Sequence, residues 1–290
     1  MDALSAYLQS KRRLVDWSLD RYLPKPATEP RVIHECMRYS TSGGKRLRPI
    51  LAIAVAEMLS CDVGKVLPTC VALELIHTHS LILDDLPCMD DDDQRRGKPA
   101  SHIMYGESVA LLAADALLNL AISMLGANHR LAGLSPKIAL EIIREVGEAV
   151  GTEGVIAGQA ADLSYCAAEG DGSLLKRIHI NKTACLFRLS ARAGALVAEA
   201  SPHQLGAISI FSENLGLAFQ IVDDILDQRQ NQIDQKNGRG KPNYAVTCGI
   251  DVSRAAAIDV TEKATQALSI FGDNAEVLRQ LAQYNLAREW

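Results

Sequence analysis

Six aspartates fall within ten residues of the sequence, at Asp84, Asp85 and Asp90–Asp93, and Arg95 and Arg96 follow directly. Carboxylates this close repel one another at neutral pH, so the group needs cations or water around it. No starting aspartate has both the glycine and the glutamate that an EF-hand loop requires. Oxygen donors suit Mg²⁺, which shares its coordination with substrate phosphates, and arginines bind phosphate directly. The cluster indicates either such a metal and phosphate site or a solvated acidic loop.

A second group of aspartates, Asp223, Asp224 and Asp227, lies about 140 residues later in the stretch FQIVDDILD. On a helix Asp223 and Asp227 are one turn apart on the same face, and Gln220 lies about a turn before them. Like charges at this spacing destabilise a helix, so the pair calls for a compensating cation. Taken alone, the segment is equally well interpreted as a salt-bridged helix face. Two such clusters in one chain favour a metal site.

These nine aspartates explain the acidic balance of the chain. Its 290 residues carry 30 lysines and arginines against 35 aspartates and glutamates, for a formal net charge of −5. Without the nine aspartates the remaining chain would be slightly basic. A net charge this mild argues against a broad basic surface for nucleic acid, so no nucleic-acid partner is expected.

The rest of the composition indicates a protein of a reducing compartment. The seven cysteines form no CxxC pair, which argues against disulfides and a zinc site. Apolar stretches of about 18 residues all contain a charge, so no membrane span is expected. The first residues lack the apolar core and cleavage site of a secretory signal. We therefore expect a cytoplasmic protein.

Helices must position the aspartates, because apolar residues recur mostly at helical spacing and no hairpin dipeptides separate alternating strand-like runs. The predicted helices lie at residues 3–22, 30–41, 48–59, 62–87, 105–126, 136–149, 151–167, 173–200, 203–230, 251–270 and 273–289. The first aspartate cluster ends one of these helices and the second lies within another. The polar segment 230–242 is predicted to be a loop. We predict one all-α domain over residues 1–290.

Together the motifs resemble those of the trans-isoprenyl diphosphate synthases, the polyprenyl synthetase family. The family's first motif, two aspartates and a third after a short spacer, matches residues 84–90, and its Asp-Asp-x-x-Asp motif matches residues 223–227. The similarity begins at the GGKRLRP stretch, residues 43–49, and extends to the C-terminal helix. The longer first motif, with Cys88 and Met89 inside it, is similar to that of bacterial and plastid farnesyl and geranylgeranyl diphosphate synthases. The resemblance implies a helical bundle of the isoprenoid synthase type with a central active-site cavity.

The resemblance also implies a role for individual residues. Those expected to hold the diphosphate of isopentenyl diphosphate are Lys45, Arg48, His77 and Arg96. Those expected to act on the allylic diphosphate, or on the cation formed from it, are Arg95, Lys182, Thr183, Gln220 and Lys241, with Lys236 as the alternative to Lys241. Three Mg²⁺ ions would bridge both clusters and the allylic diphosphate, held by Asp84, Asp85, Asp90, Asp223 and Asp227. Without the resemblance, the basic stretch is a surface helix start and His77 a core residue.

The implied reaction is head-to-tail condensation of isopentenyl diphosphate with dimethylallyl, geranyl or farnesyl diphosphate, by ionisation, condensation and elimination. In the family, residues one to two turns before Asp84 set the product length, and His79 and Ser80 occupy this position. Ser80 is small and permits elongation, whereas His79 has intermediate bulk. We expect geranylgeranyl diphosphate, with farnesyl diphosphate as the alternative product.

Other classes of protein share parts of this pattern. A class I terpene cyclase would need an Asn/Ser/Glu metal motif in place of residues 223–227, and a squalene or phytoene synthase usually lacks the basic stretch at 43–49. A non-catalytic regulatory subunit of a prenyl synthase is the main alternative, although such subunits commonly lose one aspartate motif and both are intact here. The resemblance further implies a homodimer.

Overall fold

The computed structural model describes residues 3–164, 172–231 and 243–288 of the chain. The predicted closing lysines, Lys236 and Lys241, lie outside the described residues. The α-helices of the described residues, in chain order, are α1 Ala3–Tyr22, α2 Arg31–Thr41, α3 Leu47–Met58, α4 Val63–Asp84, α5 Ser101–Tyr105, α6 Glu107–Gly126, α7 Asn128–Leu131, α8 Pro136–Val150, α9 Val155–Leu163, α10 Gly172–His179, α11 Cys185–Val197, α12 Pro202–Asn231, α13 Tyr244–Cys248, α14 Ile250–Ala267 and α15 Glu276–Ala287.

Three short elements depart from α-helix. A π-helix, Ile180–Ala184, joins α10 to α11, and a 3₁₀ segment, Leu268–Ala275, joins α14 to α15. The strands β1 Gln94–Arg95 and β2 Lys98–Pro99 form an antiparallel hairpin directly after the first aspartate cluster. This hairpin, with two residues in each strand, is the only sheet in the described part of the chain, so the prediction of an all-α fold is confirmed.

The chain divides into two compact units. Unit 1 comprises Met1–Glu57 and Cys61–Ile143, and unit 2 comprises Met58–Ser60 and Arg144–Trp290. The prediction of a single domain over residues 1–290 stays a prediction.

The long helix α4 is the centre of unit 1. It begins at Asp62, whose side chain accepts a hydrogen bond from the Gly64 backbone N–H over 2.9 Å and so caps the helix. Residues around most of its circumference are buried, and α6 packs along it. A helix that is apolar all round is expected to lie inside a protein or a membrane. Its far end, Asp84, is where the first aspartate cluster begins.

In unit 2 the 30-residue helix α12 carries the second aspartate cluster. Its apolar residues recur at Leu217, Ala218, Ile221, Val222 and Ile225, and they form a buried cluster with residues of α13 and α14. This stripe holds one face of α12 in the core. Gln220, Asp223 and Asp227 therefore lie on the remaining faces.

Within the described part of the chain, three helices are long and apolar enough, by length and composition, to cross a membrane: Val63–Asp84, Glu107–Gly126 and the Pro202–Gln228 part of α12. The most apolar windows of these helices are 72%, 39% and 50% buried within the protein, respectively. The expectation of no membrane span stays a prediction.

Candidate active site

The first aspartate cluster folds back on the end of α4. Asp85 follows the last helical residue and is 3% exposed, whereas Asp84 and Asp90 are half-buried. The Asp90 backbone N–H donates to the Asp84 carbonyl over 2.9 Å, which closes the loop. The structure thus places the three predicted metal ligands of this motif near one helix end, with Asp85 buried and the other two half-buried.

Arg95 is bound to this cluster from strand β1. Its Nε donates to Asp85 Oδ1 over 2.8 Å, its Nη2 donates to the same oxygen, and Nη2 also lies 3.2 Å from Asp92 Oδ2. Burial raises the pKa of Asp85, while the hydrogen bond and charge of Arg95 act in the opposite direction. Burial by itself would lower the pKa of Arg95. The hydrogen bond and the charge of Asp85, together with the charges of further aspartates, outweigh this effect and raise the pKa of Arg95. Asp85 and Arg95 therefore form one charge-assisted pair.

Arg48 and His77 are also brought together. Arg48 Nη1 donates to His77 Nε2 over 3.0 Å, across α3 and α4. Burial, followed by the charges of Arg48, Arg96 and other arginines, holds the pKa of His77 well below its ordinary value. His77 is therefore a neutral ring that accepts from Arg48. Lys45, three residues before Arg48, has an exposed side chain.

The predicted product-length residues differ in their burial. His79 is 7% exposed, and its Nδ1–H donates to the Ala114 carbonyl of α6 over 3.0 Å. Burial is the main cause that lowers its pKa. Ser80 is half-buried and its hydroxyl donates to the His77 carbonyl over 2.9 Å. The hydrogen bond to α6 therefore fixes the ring of His79 in place.

Because His77 and His79 both have a lowered pKa in the folded protein, we predict that the free energy of unfolding depends on pH. The unfolded chain protonates both rings near their ordinary pKa of about 6.5, whereas the folded chain keeps them neutral to lower pH. Below that pH the unfolded state binds more protons, so the free energy of unfolding falls by up to about 1.4 kcal/mol per pH unit for each ring. Urea unfolding followed between about pH 7.5 and pH 5.5 measures this slope. His79→Gln should reduce it, and the surface variant His129→Gln serves as the control; an equal slope in all three proteins would contradict the prediction.

In unit 2 a chain of hydrogen bonds links the π-helix to α12. Thr183 Oγ1 donates to Gln220 Oε1 over 2.8 Å, and Gln220 Nε2 donates to Asp224 Oδ1 over 2.9 Å. The other oxygen of Asp224, Oδ2, accepts from the Tyr244 backbone N–H over 2.6 Å and lies 3.3 Å from His179 Nε2. Because each member is held by the next, Thr183 and Gln220 have fixed side-chain orientations.

Lys182 points to a different partner on α9. Its ammonium donates to Asp162 Oδ2 over 2.5 Å, and both side chains are largely buried. The π-helix that carries Lys182 packs against Gly158, where a Cβ would lie only 2.4 Å from the Lys182 backbone nitrogen. π-Helical turns occur often at functional sites. Here the π-turn places Lys182 toward α9 and Thr183 toward α12.

The two predicted metal ligands on α12 lie at the helix surface. Asp223 is half-buried and Asp227 is exposed, whereas Asp224 between them is 3% exposed and structural. Arg288 Nη2 donates to Asp223 Oδ1 over 2.7 Å, and the same guanidinium lies 4.8 Å from the centre of the Phe219 ring. The C-terminal end of the chain therefore reaches the second aspartate cluster.

Several residues that bond to the predicted site residues or to their partners were missed by the sequence interpretation: Glu74, which pairs with Arg46 and Arg96, Arg46 itself, Asp162, His179 and Arg288. Glu74 gave a signal, because a glutamate inside an apolar helix needs a partner. Arg288 and Asp162 gave none, since charged residues at helix ends are ordinary surface residues until their partners are known.

The donor chemistry of the aspartates suits Mg²⁺. Among residues 3–164, 172–231 and 243–288, no group of three aspartate, glutamate, histidine or cysteine side chains converges as a metal site. Mg²⁺ is often held by only one or two carboxylates together with waters and substrate phosphates. Asp84 and Asp90 in unit 1, and Asp223 and Asp227 in unit 2, each supply such a pair of hard oxygen donors. The residues present therefore fit this ion.

Comparison with known proteins shows the family to which the chain belongs. The family model described as polyprenyl synthetase matches residues 30–282. The chain belongs to the polyprenyl synthetase family. It is 40% identical, over 98% of its length and 79% of the relative, to the heterodimeric geranylgeranyl pyrophosphate synthase large subunit 1 of Arabidopsis thaliana. It is 36% identical to the geranylgeranyl diphosphate synthase of Cyanophora paradoxa, with 98% and 96% of the two chains covered.

A solved structure shares the fold of this polyprenyl synthetase. The apo FPP/GFPP synthase of Zymomonas mobilis is 33% identical, covers 98% of each chain and superposes with a TM-score of 0.87. The resemblance based on the two aspartate motifs is thereby confirmed, as is the isoprenoid synthase type of fold. The chain is a trans-prenyltransferase, and the regulatory-subunit alternative is not favoured.

Proposed function

We propose that this polyprenyl synthetase condenses isopentenyl diphosphate head-to-tail with dimethylallyl, geranyl or farnesyl diphosphate. The proposal rests on one observation: two adjacent arginines in unit 1 have different bonding partners. Arg95 bonds to Asp85 of the aspartate cluster, whereas Arg96 bonds to Glu74 and to the Ser40 carbonyl. Two separate phosphate-binding environments are what a reaction between two diphosphates requires. Relatives named as geranylgeranyl diphosphate synthases support the same reaction.

In this proposal, the isopentenyl diphosphate site consists of Lys45, Arg48, His77 and Arg96. A neutral His77 accepts from Arg48 and so orients the guanidinium toward a phosphate without adding a titrating charge to the site. Arginine binds phosphate through two parallel N–H groups, which fixes the direction of the substrate as well as its affinity. The double bond of isopentenyl diphosphate is thereby held in position to attack.

The allylic diphosphate is assigned to the aspartates, Arg95 and Lys182. Asp84, Asp85, Asp90, Asp223 and Asp227 would hold Mg²⁺, for which we propose three ions per active site. When bound, these ions supply positive charge that stabilises the departing diphosphate as the allylic C–O bond breaks. Arg95 and Lys182 add positive charge to the same leaving group. Lys241, outside the described residues, is proposed to close the site.

Thr183 and Gln220 are proposed to lie beside the allylic cation. Both side chains are neutral and only weakly nucleophilic, and their hydrogen bonds to each other and to Asp224 hold them in fixed orientations. Oriented dipoles stabilise developing charge without reorganising at the moment of reaction. Attack by the isopentenyl double bond and loss of one proton, for which the released diphosphate is the base, complete each cycle.

The function is tested by incubating the protein with isopentenyl and dimethylallyl diphosphates and Mg²⁺, followed by chain-length analysis of the products. We expect geranylgeranyl diphosphate, or farnesyl diphosphate as the alternative. An absence of product would favour a regulatory subunit, and a long polyprenyl product would contradict the short-chain assignment.

Replacing His79 with tyrosine should shorten the main product by at least one isoprene unit. The ring of His79 is fixed by the Ala114 carbonyl, and a larger ring at this buried position leaves less room for a growing chain. Product analysis by chromatography measures the change. His129→Tyr, the same substitution at an exposed histidine of α7, is the matched control. An unchanged product from His79→Tyr would mean that other residues limit chain length.

We further propose a homodimer located in the cytoplasm. Helix α6 exposes apolar side chains on one face, with Leu111 at 48%, Leu112 at 56% and Ile122 at 41% exposure. Apolar side chains repeated along one helix face are a common feature of subunit interfaces. Sedimentation equilibrium of the wild type and of Leu112→Glu tests the assembly, with a loss of dimer expected for the variant.

A further inference from the structure

Glu74 is an ionisable residue buried inside the apolar helix α4. It is 1% exposed and lies three residues before His77, on the same face of the helix. A carboxylate is expected at such a position only where it is paired and hydrogen-bonded. Its partners are therefore informative about what the helix face is built to hold.

Two arginines share one oxygen of Glu74. Arg46 Nη1 donates to Glu74 Oε1 over 2.5 Å, and Arg96 Nη2 donates to the same oxygen over 3.2 Å. Arg46 Nη2 also donates to the Thr41 carbonyl over 2.5 Å, and Arg96 Nη1 donates to the Ser40 carbonyl over 3.1 Å. The carboxylate thus lies between two guanidinium groups, each of which also bonds to a carbonyl at the end of α2. Arg46 Nε also donates to Asp16 Oδ1 over 2.7 Å, whereas Glu74 bonds to both guanidinium groups and offsets their mutual repulsion.

The backbone at both arginines is left-handed, with φ of 57° at Arg46 and 56° at Arg96. Non-glycine residues hold this conformation only where the surrounding contacts determine it. Gly44 lies directly against Arg96, because a Cβ at Gly44 would be 2.9 Å from the Arg96 Cζ and Nε. The Arg96 side chain therefore packs against the turn from which Lys45 and Arg48 follow.

We propose that Glu74 is a positioning residue for isopentenyl diphosphate. By holding Arg46 and Arg96 together, it fixes the direction of the Arg96 guanidinium and the conformation of the turn that presents Lys45 and Arg48. The inference rests on the proposed function, in which Arg96 binds isopentenyl diphosphate. It predicts a selective effect, because Arg95, assigned to the allylic diphosphate, bonds to Asp85 and not to Glu74.

The decisive variant is Glu74→Gln, which keeps the shape of the side chain and removes its charge. We expect KM for isopentenyl diphosphate to rise by about 10- to 100-fold, the usual effect of removing the charge from a buried hydrogen-bonded pair. We expect KM for dimethylallyl diphosphate to change by less than about twofold, since Arg95 keeps its partners. If Glu74 had a purely structural role, its replacement would weaken the binding of both substrates together, or would lower only the concentration of folded enzyme.

Glu57→Gln is the matched control. Glu57 is a half-buried glutamate of the same unit whose carboxylate accepts from Tyr7 Oη over 2.6 Å and from Lys11, so neither KM should change. Glu74→Asp retains the charge on a shorter side chain and should recover part of the isopentenyl affinity. The double variant Arg46→Gln/Glu74→Gln removes one cation together with the anion, so that it can be measured if the single variant does not fold. Its KM for isopentenyl diphosphate should remain raised.

Calorimetric binding of isopentenyl diphosphate, without turnover, separates this inference from the proposed function. A wild type that forms no prenyl product overturns the proposed function. If folded Glu74→Gln, or the folded double variant, binds isopentenyl diphosphate as tightly as the wild type does, the role of Glu74 is overturned and the proposed function is not. Equal increases in KM for both substrates would also overturn it.

Discussion

Asp84→Ala and Asp223→Ala should each lower kcat by at least about a thousandfold while the protein stays folded. Each aspartate belongs to one of the two pairs of hard oxygen donors, one at the end of α4 and one on α12, and both are proposed to be needed when charge develops on the allylic diphosphate. Both side chains are partly open to solvent, so their removal leaves no buried cavity. Single-turnover and steady-state rates measure the loss, and thermal unfolding measures the fold.

Two surface aspartates are the matched controls for these variants. Asp93 belongs to the same acidic run as Asp84 but is exposed and outside the predicted metal set. Asp251 lies in unit 2 and its side chain is 99% exposed. Alanine at either position should leave kcat within about twofold of the wild type. Near-wild-type activity of Asp84→Ala or Asp223→Ala would refute the metal assignment.

The second large effect is expected from Gly158→Ala. A Cβ at this position would lie 2.4 Å from the Lys182 backbone nitrogen and 2.8 Å from the Asn181 carbonyl carbon. Neither atom is the end of a flexible side chain, so the π-helix must move away from α9. Overpacking of this kind costs about 1–3 kcal/mol of stability. A shift of roughly 1 Å in Lys182 and Thr183 should lower kcat by about 100-fold.

Gly206→Ala is the control for this substitution, because it is a helical glycine of α12 with no atom near its Cβ position. Alanine there should leave kcat unchanged and raise the free energy of unfolding by about 0.5–1 kcal/mol. Activity assays and urea unfolding of both variants distinguish the two outcomes. Unchanged activity in a folded Gly158→Ala protein would show that the close contact is not needed to place the π-helix.

Helix positions were predictable where they depend on local pattern. The predicted helix 3–22 agrees with Ala3–Tyr22, and the predicted 203–230 agrees closely with Pro202–Asn231. Apolar periodicity and proline or capping residues act within a few residues of one another, so the sequence records them directly. The start of α4 at its cap Asp62 and the face of α12 that carries the aspartates followed from the same pattern, whereas α4 ends at Asp84, three residues before the predicted end.

Three predicted helices were wrong in detail for reasons that the local pattern does not contain. The predicted 105–126 is interrupted at Gly106, where φ is 82°, and the chain forms α5 and α6. The predicted 173–200 contains the π-helix, whose extra residue is accommodated by the close approach of Gly158 and Gly216. The predicted 151–167 ends as an α-helix at Leu163. The first two depend on backbone conformation and on contacts between segments distant in the chain.

The site divides in the same way between sequence and tertiary structure. The chemistry was predicted from the sequence alone, because charge, donor type and helical spacing favour carboxylate pairs and phosphate-binding arginines. The tertiary structure decided which of these groups are held and by what. It assigns Arg95 to Asp85 and Arg96 to Glu74, and it makes Asp224 a buried connector between Gln220 and Tyr244. The Arg96–Glu74 and Tyr244–Asp224 bonds join residues 22 and 20 positions apart, and Arg95 reaches Asp85, 10 positions before it, from the β-hairpin. Which segments meet in this way depends on how the helices pack, and the local apolar periodicity does not record it.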